Sequence, residues 1–226
     1  PKFKNHSNAI LVHGNYADLP EILKKEKLPK ADSVLLDLGF SSEQLAPTGS
    51  VGVGFRQRGF SFQKDEVLDM RYSGEGMTAA EVVNSLSEKD LADIFWKFGE
   101  ERYSRQIAKK IIEERKKERI LTTGRLVEIV KKAVPKNYEK GRINPATRVF
   151  QALRIYVNDE LGNLAGLLGN LDKILKIKGR IVIISFHSLE DRLVKNHFRD
   201  SAKSGKMEIL TKKPITASEE EIKINP

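Results

Sequence analysis

The feature that most limits how this chain folds is the run Val34-Leu35-Leu36-Asp37. Three apolar residues end in a carboxylate, and the chain then turns through Gly39 into Ser41 and Ser42. A short apolar run with such an exit reads as a buried strand. In open α/β sheets, ligands sit in the crevice beyond the carboxyl ends of the strands. Asp37 thus stands where a cofactor or substrate is held, or it caps the helix that follows, the commonest work of such an acid.

Upstream, Asn8 to His13 (NAILVH) is a second strand candidate that leaves through Gly14-Asn15. A short helix around Leu19 to Lys25 joins it to the central strand. Strand, helix and strand imply a parallel sheet with a right-handed crossover. Both strand ends would then open on one edge, with Tyr16 and Asp37 near one crevice. Tyr16 there either stacks on a planar ring or plugs the edge of the core. The strongest strand signal is Arg180 to Phe186 (RIVIISF), and Met207 to Leu210 reads as one more strand. His187, beyond Phe186, lines a substrate pocket or caps local backbone.

Between the strand signals lies a helical block. Thr78 with Glu81 forms a capping box, and Ser87 with Asp90 starts a second helix. Leu91, Ile94, Phe95 and Phe98 then share one apolar face, and Gly99 ends it. A third helix is expected over Glu100 to Arg119, and a fourth is capped by Thr122 or Thr123 and stopped by Pro135. Asn144-Pro145 opens a long helical pattern to about Ile177. Gly162, Gly166 and Gly169 predict a break that divides it in two. Ser188 with Asp191 caps a last helix to Arg199. Four helices without a strand do not continue a strand–helix alternation, so residues 73–143 read as an all-α insertion. Residues 1–72 and 144–226 form the two parts of the α/β domain.

The charge is uneven. The chain is formally +9, and Glu88 to Arg142 alone holds sixteen Lys and Arg against ten Asp and Glu. A local positive excess favours phosphate-bearing partners. Ion pairing at i,i+4 accounts for much of the charge, though not for its imbalance. The loop from Ala46 to Phe62 interleaves Arg56 and Arg58 with Phe55, Phe60 and Phe62. That mixture suits single-stranded nucleic acid, or a surface loop pinned by its rings. Its glycines do not follow a strand and open a helix, so it is not read as a phosphate loop. Cys is absent and the four His lack ligand spacing, so no metal site is expected. No apolar run is long enough to span a membrane, and no signal peptide is seen. A cytoplasmic location is the expectation.

Six blocks then carry a resemblance: LLDLGFSSEQL (35–45), RGFSF (58–62), LDMR (68–71), GEERYSRQIA (99–108), NPATRVFQALRIYVNDEL (144–161) and ISFHSLEDRLVK (184–195). In this order they resemble the small-subunit ribosomal RNA methyltransferase H family, RsmH or MraW. The resemblance implies a Rossmann-like S-adenosylmethionine-dependent α/β fold with an inserted all-α domain. It implies transfer of methyl from S-adenosyl-L-methionine to N4 of a cytidine in the decoding region of small-subunit (16S) ribosomal RNA. By position, Tyr16, Asp37 and Gln44 fall on cofactor-contacting sites, and the small-subunit RNA or the small ribosomal subunit is the partner. His187 is the candidate catalytic residue on the substrate side.

There are departures. The family's Gly-Gly-His-Ser cofactor turn and its first two strands have no counterpart here, nor has its final strand. Glu66-Val67 stands where the family has Gly-Pro, and the loop over 46–57 is long. The expectation that follows is a fold incomplete at the cofactor end and a chain inactive when isolated. The rival expectation is a non-catalytic RNA-binding or ribosome-assembly factor derived from a methyltransferase.

Overall fold

The computed structural model describes residues 9–39, 58–61, 64–138 and 143–224. Two strands form a parallel sheet, β1 (Ala31–Asp37) and β2 (Leu175–Ile184). Val34 pairs with Ile181, Leu35 with Val182, Leu36 with Ile183 and Asp37 with Ile184. Residues paired in a parallel sheet point the same way, and successive residues point oppositely. Leu36 and its neighbours Val34, Ile181 and Ile183 therefore face the helices, packing against Leu164, Leu167, Leu168 and Ile174. The opposite face is bare among the described residues. Leu35 is 68% exposed and Val182 58%. β1 is thus half-buried, where its apolar run predicts burial on both faces.

The other expected strands are not seen among the described residues. Residues 9–13 pair with no described residue, and Ile10, Leu11 and Val12 are exposed. Residues 207–210 are likewise unpaired, although Met207 rests against the sheet's core. A strand needs a neighbour, and strand-like composition does not supply one. The expected strand–helix–strand unit at the start therefore reduces to a 3₁₀ turn (Tyr16–Asp18), α1 (Leu19–Lys25) and β1.

The helical layer follows its caps. α2 (Ala79–Ser85) carries the Thr78/Glu81 capping box with both reciprocal bonds present. α3 (Glu88–Gly99) starts at Ser87, whose hydroxyl accepts from Asp90 N–H at 3.1 Å. α4 (Ser104–Arg115) is shorter than expected at both ends, because residues 100–103 form a separate turn. α5 (Thr123–Ala133) is capped by Thr122. α6 (Thr147–Asn158) begins three residues after Asn144, whose side chain accepts from Ala146 N–H at 3.0 Å.

The long helical pattern breaks at Asp159, in the left-handed region at φ 47°, rather than at its glycines. α7 (Glu160–Gly169) and the short α8 (Leu171–Ile174) follow, and β2 begins at Leu175. The leucine stripe continues one step into the strand, which is why the sequence reads as helix there. The register slips between Ala31↔Leu175 and Ser33↔Arg180, with Lys178 at φ 66°. α9 (Ser188–Lys203) covers the sheet beside α7, and α10 (Glu219–Ile224) ends the description.

Two apolar cores result. The larger joins α2 to α6 around Phe95, Ile107, Ile111, Leu126 and Leu153. It also recruits Leu68 and Met70 from the segment before α2. The smaller lies between the sheet and α1, α7, α8 and α9. Within the larger core α3 meets α6 so closely that a Cβ on Gly99 would lie 2.5 Å from the Arg148 carbonyl oxygen and 3.2 Å from Ala152 Cβ. Neither neighbour is the free end of a flexible chain. Gly99→Ala should therefore destabilise the protein by about 1–3 kcal/mol, the usual cost of overpacking, read from urea denaturation.

Candidate active site

The carboxyl ends of β1 and β2 meet on one edge. Asp37 closes β1, and Leu38 N–H continues the ladder to Ile184 C=O at 3.1 Å. Gly39 then turns with φ 94°, and the Phe186 ring lies against it. Phe186 is itself 69% exposed. Asp37 is exposed and makes no hydrogen bond or ion pair with the described residues. An acid at a strand tip, open to solvent, has its side-chain acceptor capacity unused by the described residues.

Tyr16 lies elsewhere. It packs on the covered face of the sheet, and its hydroxyl donates to Glu160 C=O at 3.3 Å. Asp37 follows Leu36 and so turns to the opposite face. The expected shared crevice does not bring these two side chains into contact. Asn15 ties the same turn to α7 through Asn163 at 2.8 Å. Gln44, with Phe55, Arg56 and Phe62, lies outside the described residues.

At the end of β2, His187 is the N-cap of α9. Its Nδ1 accepts from Glu190 N–H at 3.4 Å, while the Glu190 carboxylate accepts from Phe186 N–H at 2.9 Å and His187 N–H at 3.4 Å. This is a capping box with histidine in place of serine. It sits one residue before the expected Ser188/Asp191 pair, and Ser188 instead donates to Glu100 Oε2 at 2.8 Å. With Nδ1 accepting, a neutral ring carries its proton on Nε2. That atom is buried 3.3 Å from Glu190 Oε1, off the line of a hydrogen bond. The cap expected as one role of His187 is present.

Behind the cap lies a buried cluster that the sequence reading did not single out. Glu160, the first residue of α7, is buried. Its Oε1 accepts from Arg154 Nε at 2.8 Å and Tyr72 hydroxyl at 3.2 Å, and its Oε2 from Arg154 Nη2 at 3.0 Å. Such a two-pronged guanidinium–carboxylate bond is among the stronger ones in proteins. Burial alone would lower the Arg154 pKa, but the Glu160 charge and its hydrogen bonds leave it raised. Burial, then Glu160, Glu190 and Asp159, push Tyr16 up to about 12. Burial, then Glu160 and Glu190, raise Tyr72 as well, against the opposing charge of Arg154. Both phenols are neutral at physiological pH.

Donor atoms of Glu160, His187 and Glu190 lie within 4.8 Å of one another. The cation that balances them is the Arg154 guanidinium, which already engages both Glu160 oxygens. The same cluster ties the two cores together. Tyr72 N–H donates to Asn158 Oδ1 at 2.8 Å, and Asn158 Nδ2 donates to Met70 C=O at 2.8 Å. Phe60 stacks on Tyr72 at 5.3 Å, and Arg58 donates to Arg71 C=O at 2.9 Å. The available signal was Arg154 itself, a charge next to Leu153 on the apolar side of α6.

A cavity of about 770 Å³ opens between the two cores. Phe98, Tyr156, Leu161, Leu189 and Arg192 line it, from α3, α6, α7 and α9. None of the described helices is long and apolar enough to cross a membrane.

Two measurements test the cluster. Glu160→Gln leaves the buried Arg154 without its carboxylate and should cost about 3–5 kcal/mol, read from the denaturation midpoint. Burial would raise the Glu190 pKa, but its contacts with His187 and the Phe186 N–H hold it below the ordinary 4.5. A depressed carboxylate stabilises fully above its unfolded pKa, and the gain is lost as pH falls through the folded one. The stability gap between the unaltered chain and Glu190→Gln should be present at pH 5 and narrow as pH falls below ~4.5.

The MraW methylase family profile matches residues 2–226. The chain is 46% identical over 231 residues to the Ribosomal RNA small subunit methyltransferase H of Rickettsia massiliae, covering 95% of this chain and 71% of that protein. It is 48% identical over 226 residues to the protein of that name from Coprothermobacter proteolyticus, covering 100% and 72%. With the one from Koribacter versatilis it shares 49% over 218 residues, covering 96% and 65%. A parallel-stranded α/β sheet flanked by many helices, with these matches along nearly its whole length, makes the chain a member of the MraW methylase family.

Proposed function

We propose that this protein transfers a methyl group from S-adenosyl-L-methionine to N4 of a cytidine in the decoding region of small-subunit ribosomal RNA. The observation that carries the reading is Asp37. It is an exposed acid without a partner among the described residues, at the tip of a parallel strand, in a chain whose relatives are named for methylating this RNA. The fold behind it is read as a Rossmann-like methyltransferase domain with residues 73–143 inserted as a helical annex. Ribosomal RNA as substrate makes the cytoplasm its place of action.

The residues present fit a donor of this kind in part. An open carboxylate beside the Phe186 ring suits a ligand with hydroxyl or ammonium donors and a flat face. Asp37 and Gln44 are the proposed holders. Tyr16 joins them through the position of its turn, since its ring lies on the other face of β1. The donor supplies a methyl already activated on a sulfonium. The protein's work is then to align that methyl with its acceptor, and well-oriented reactants gain several kcal/mol from alignment alone, up to roughly 7–11.

The acceptor sets the rest. The cytosine N4 lone pair is delocalised into the ring, so an acceptor for its N–H groups favours the pyramidal nitrogen and takes the proton. Asp37 is read in this role as well as in anchoring, because its carboxylate is exposed and unpartnered among the described residues. His187 is the second candidate on the substrate side, by its position at the end of β2. Its Nδ1 is spent on the cap, which leaves it the task of fixing the turn that faces the base. The base must leave its stack to be reached, which is cheapest in single-stranded or loop RNA. Phe98 and Tyr156, 6.3 Å apart at the cavity, offer rings to such unstacked bases.

The test is genetic and chemical. Disruption of the gene should remove N4-methylcytidine from the small-subunit RNA, measured by mass spectrometry of digested nucleosides. The unaltered gene should restore it, and the Asp37→Ala gene should restore less than about a hundredth, as expected when a group acting on the transition state is lost. N4-methylcytidine unchanged by disruption would overturn the reading, and RNA binding without any methylation would favour the assembly factor instead.

A further inference from the structure

The turn GEERY, residues 99–103, joins the helical layer to the edge of the sheet, and all but one of its side chains face inward or bind a neighbour. Gly99 is held against α6. Glu100 takes the left-handed conformation at φ 49°, and its carboxylate reaches α9 through Ser188 at 2.8 Å and Arg192 at 2.8 Å. Glu101 is fully buried. It accepts from the Tyr138 hydroxyl at 2.8 and 2.9 Å and from Tyr103 N–H at 2.8 Å. The rings of Tyr103 and Tyr138 meet edge to face at 5.0 Å.

Arg102 is the exception. Its guanidinium carbon lies 5.1 Å from the Tyr103 ring centre and 4.8 Å from that of Tyr138. The side chain is exposed, and it makes no hydrogen bond or ion pair with the described residues. A cation held over two rings keeps its donors free while losing its freedom to swing. A buried carboxylate beneath fixes the rings themselves.

The stripe continues. Arg105 stands three residues after Arg102, and Lys109 four after Arg105, a spacing that places Arg105 and Lys109 on one side of α4. Both are exposed and, like Arg102, have no ion pair among the described residues. The other side of the same helix is neutralised. Lys110 pairs with Glu113 at 3.1 Å, and Glu114 gathers Lys110, Lys117 and Arg125 within 2.8–3.5 Å. Glu113 stands four residues after Lys109, at the far end of the ridge, and its carboxylate is engaged by Lys110, so Arg105 and Lys109 keep their charges unpaired among the described residues.

We infer that Arg102, Arg105 and Lys109 form a binding ridge for the phosphate backbone of the substrate RNA, with Arg102 as its fixed anchor. This rests on the ribosomal RNA reading above and names the residues that grip the strand. Glu100 ties the anchor to the first turn of α9, so the ridge begins beside the strand ends where the reactive base is presented.

Binding of the full chain to a fluorescently labelled single-stranded 12-nucleotide RNA, followed by anisotropy across a salt series, tests this. Each lost phosphate contact should lower the salt slope of log affinity by ~0.7, with an affinity loss of about fivefold at low salt. Arg102→Ala should show both. Arg102→Lys should keep the slope while losing about two- to threefold in affinity, because the ammonium lacks the planar stack. Lys110→Ala, on the paired flank, should change the slope by less than about 0.2. Unchanged thermal midpoints separate these effects from unfolding. RNA binding that Arg102→Ala leaves equal to Lys110→Ala overturns the ridge while the methylation reading stands on its nucleoside test. Absence of RNA binding by the unaltered chain also overturns the ridge.

Discussion

The two cores depend on one buried carboxylate. Glu160 sits just past the left-handed residue where α6 turns into α7, and it binds Arg154 from the helix before the turn. Without that bond the elbow would bring an unpaired guanidinium into the interior, at a cost of several kcal/mol. With it, Tyr72 arrives from the segment before α2, Tyr16 from the turn before α1, and His187 and Glu190 from the cap of α9. Residues far apart in sequence are thereby fixed around one point behind the strand ends. A left-handed residue between two helices is ordinarily a place for swinging. Here the bond across it makes the elbow stiff.

What the sequence told plainly was local. The Thr78/Glu81 box, the Ser87 and Thr122 caps and the apolar face of α3 all involve groups a few residues apart, and they form as read. What it told poorly was non-local. NAILVH has strand composition, yet whether it pairs depends on a neighbour that composition does not reveal. The leucine period running into Leu175 hid the start of β2, because a helical stripe and a half-buried strand agree for one step. The break at Asp159 was expected at glycines, but a left-handed Asp is invisible to propensity.

The site divides in the same way. Asp37 stands at the strand tip, where the apolar run and its exit place it. Strand order alone puts Asp37 and Tyr16 at one edge, but side-chain alternation past the core-facing Leu36 turns Asp37 to the other face. The histidine cap was misplaced by one residue, since Ser188 is the commoner capping type and His187 is not. Arg154 and Glu160 lay within a block already singled out, and only their pairing across the elbow was missing.

The sheet is the less self-sufficient half of the molecule. Two strands alone are marginal in water, and Leu35 and Val182 leave one face without apolar cover among the described residues. The helical body, with Phe95, Ile107 and Ile111 wholly enclosed, holds most of the protein's cohesion. The strand tips are thus moored to a firm keel through their covered side only. Amide protons of β1 should exchange with solvent well before those of α3, so the rim breathes while its foundation stays closed.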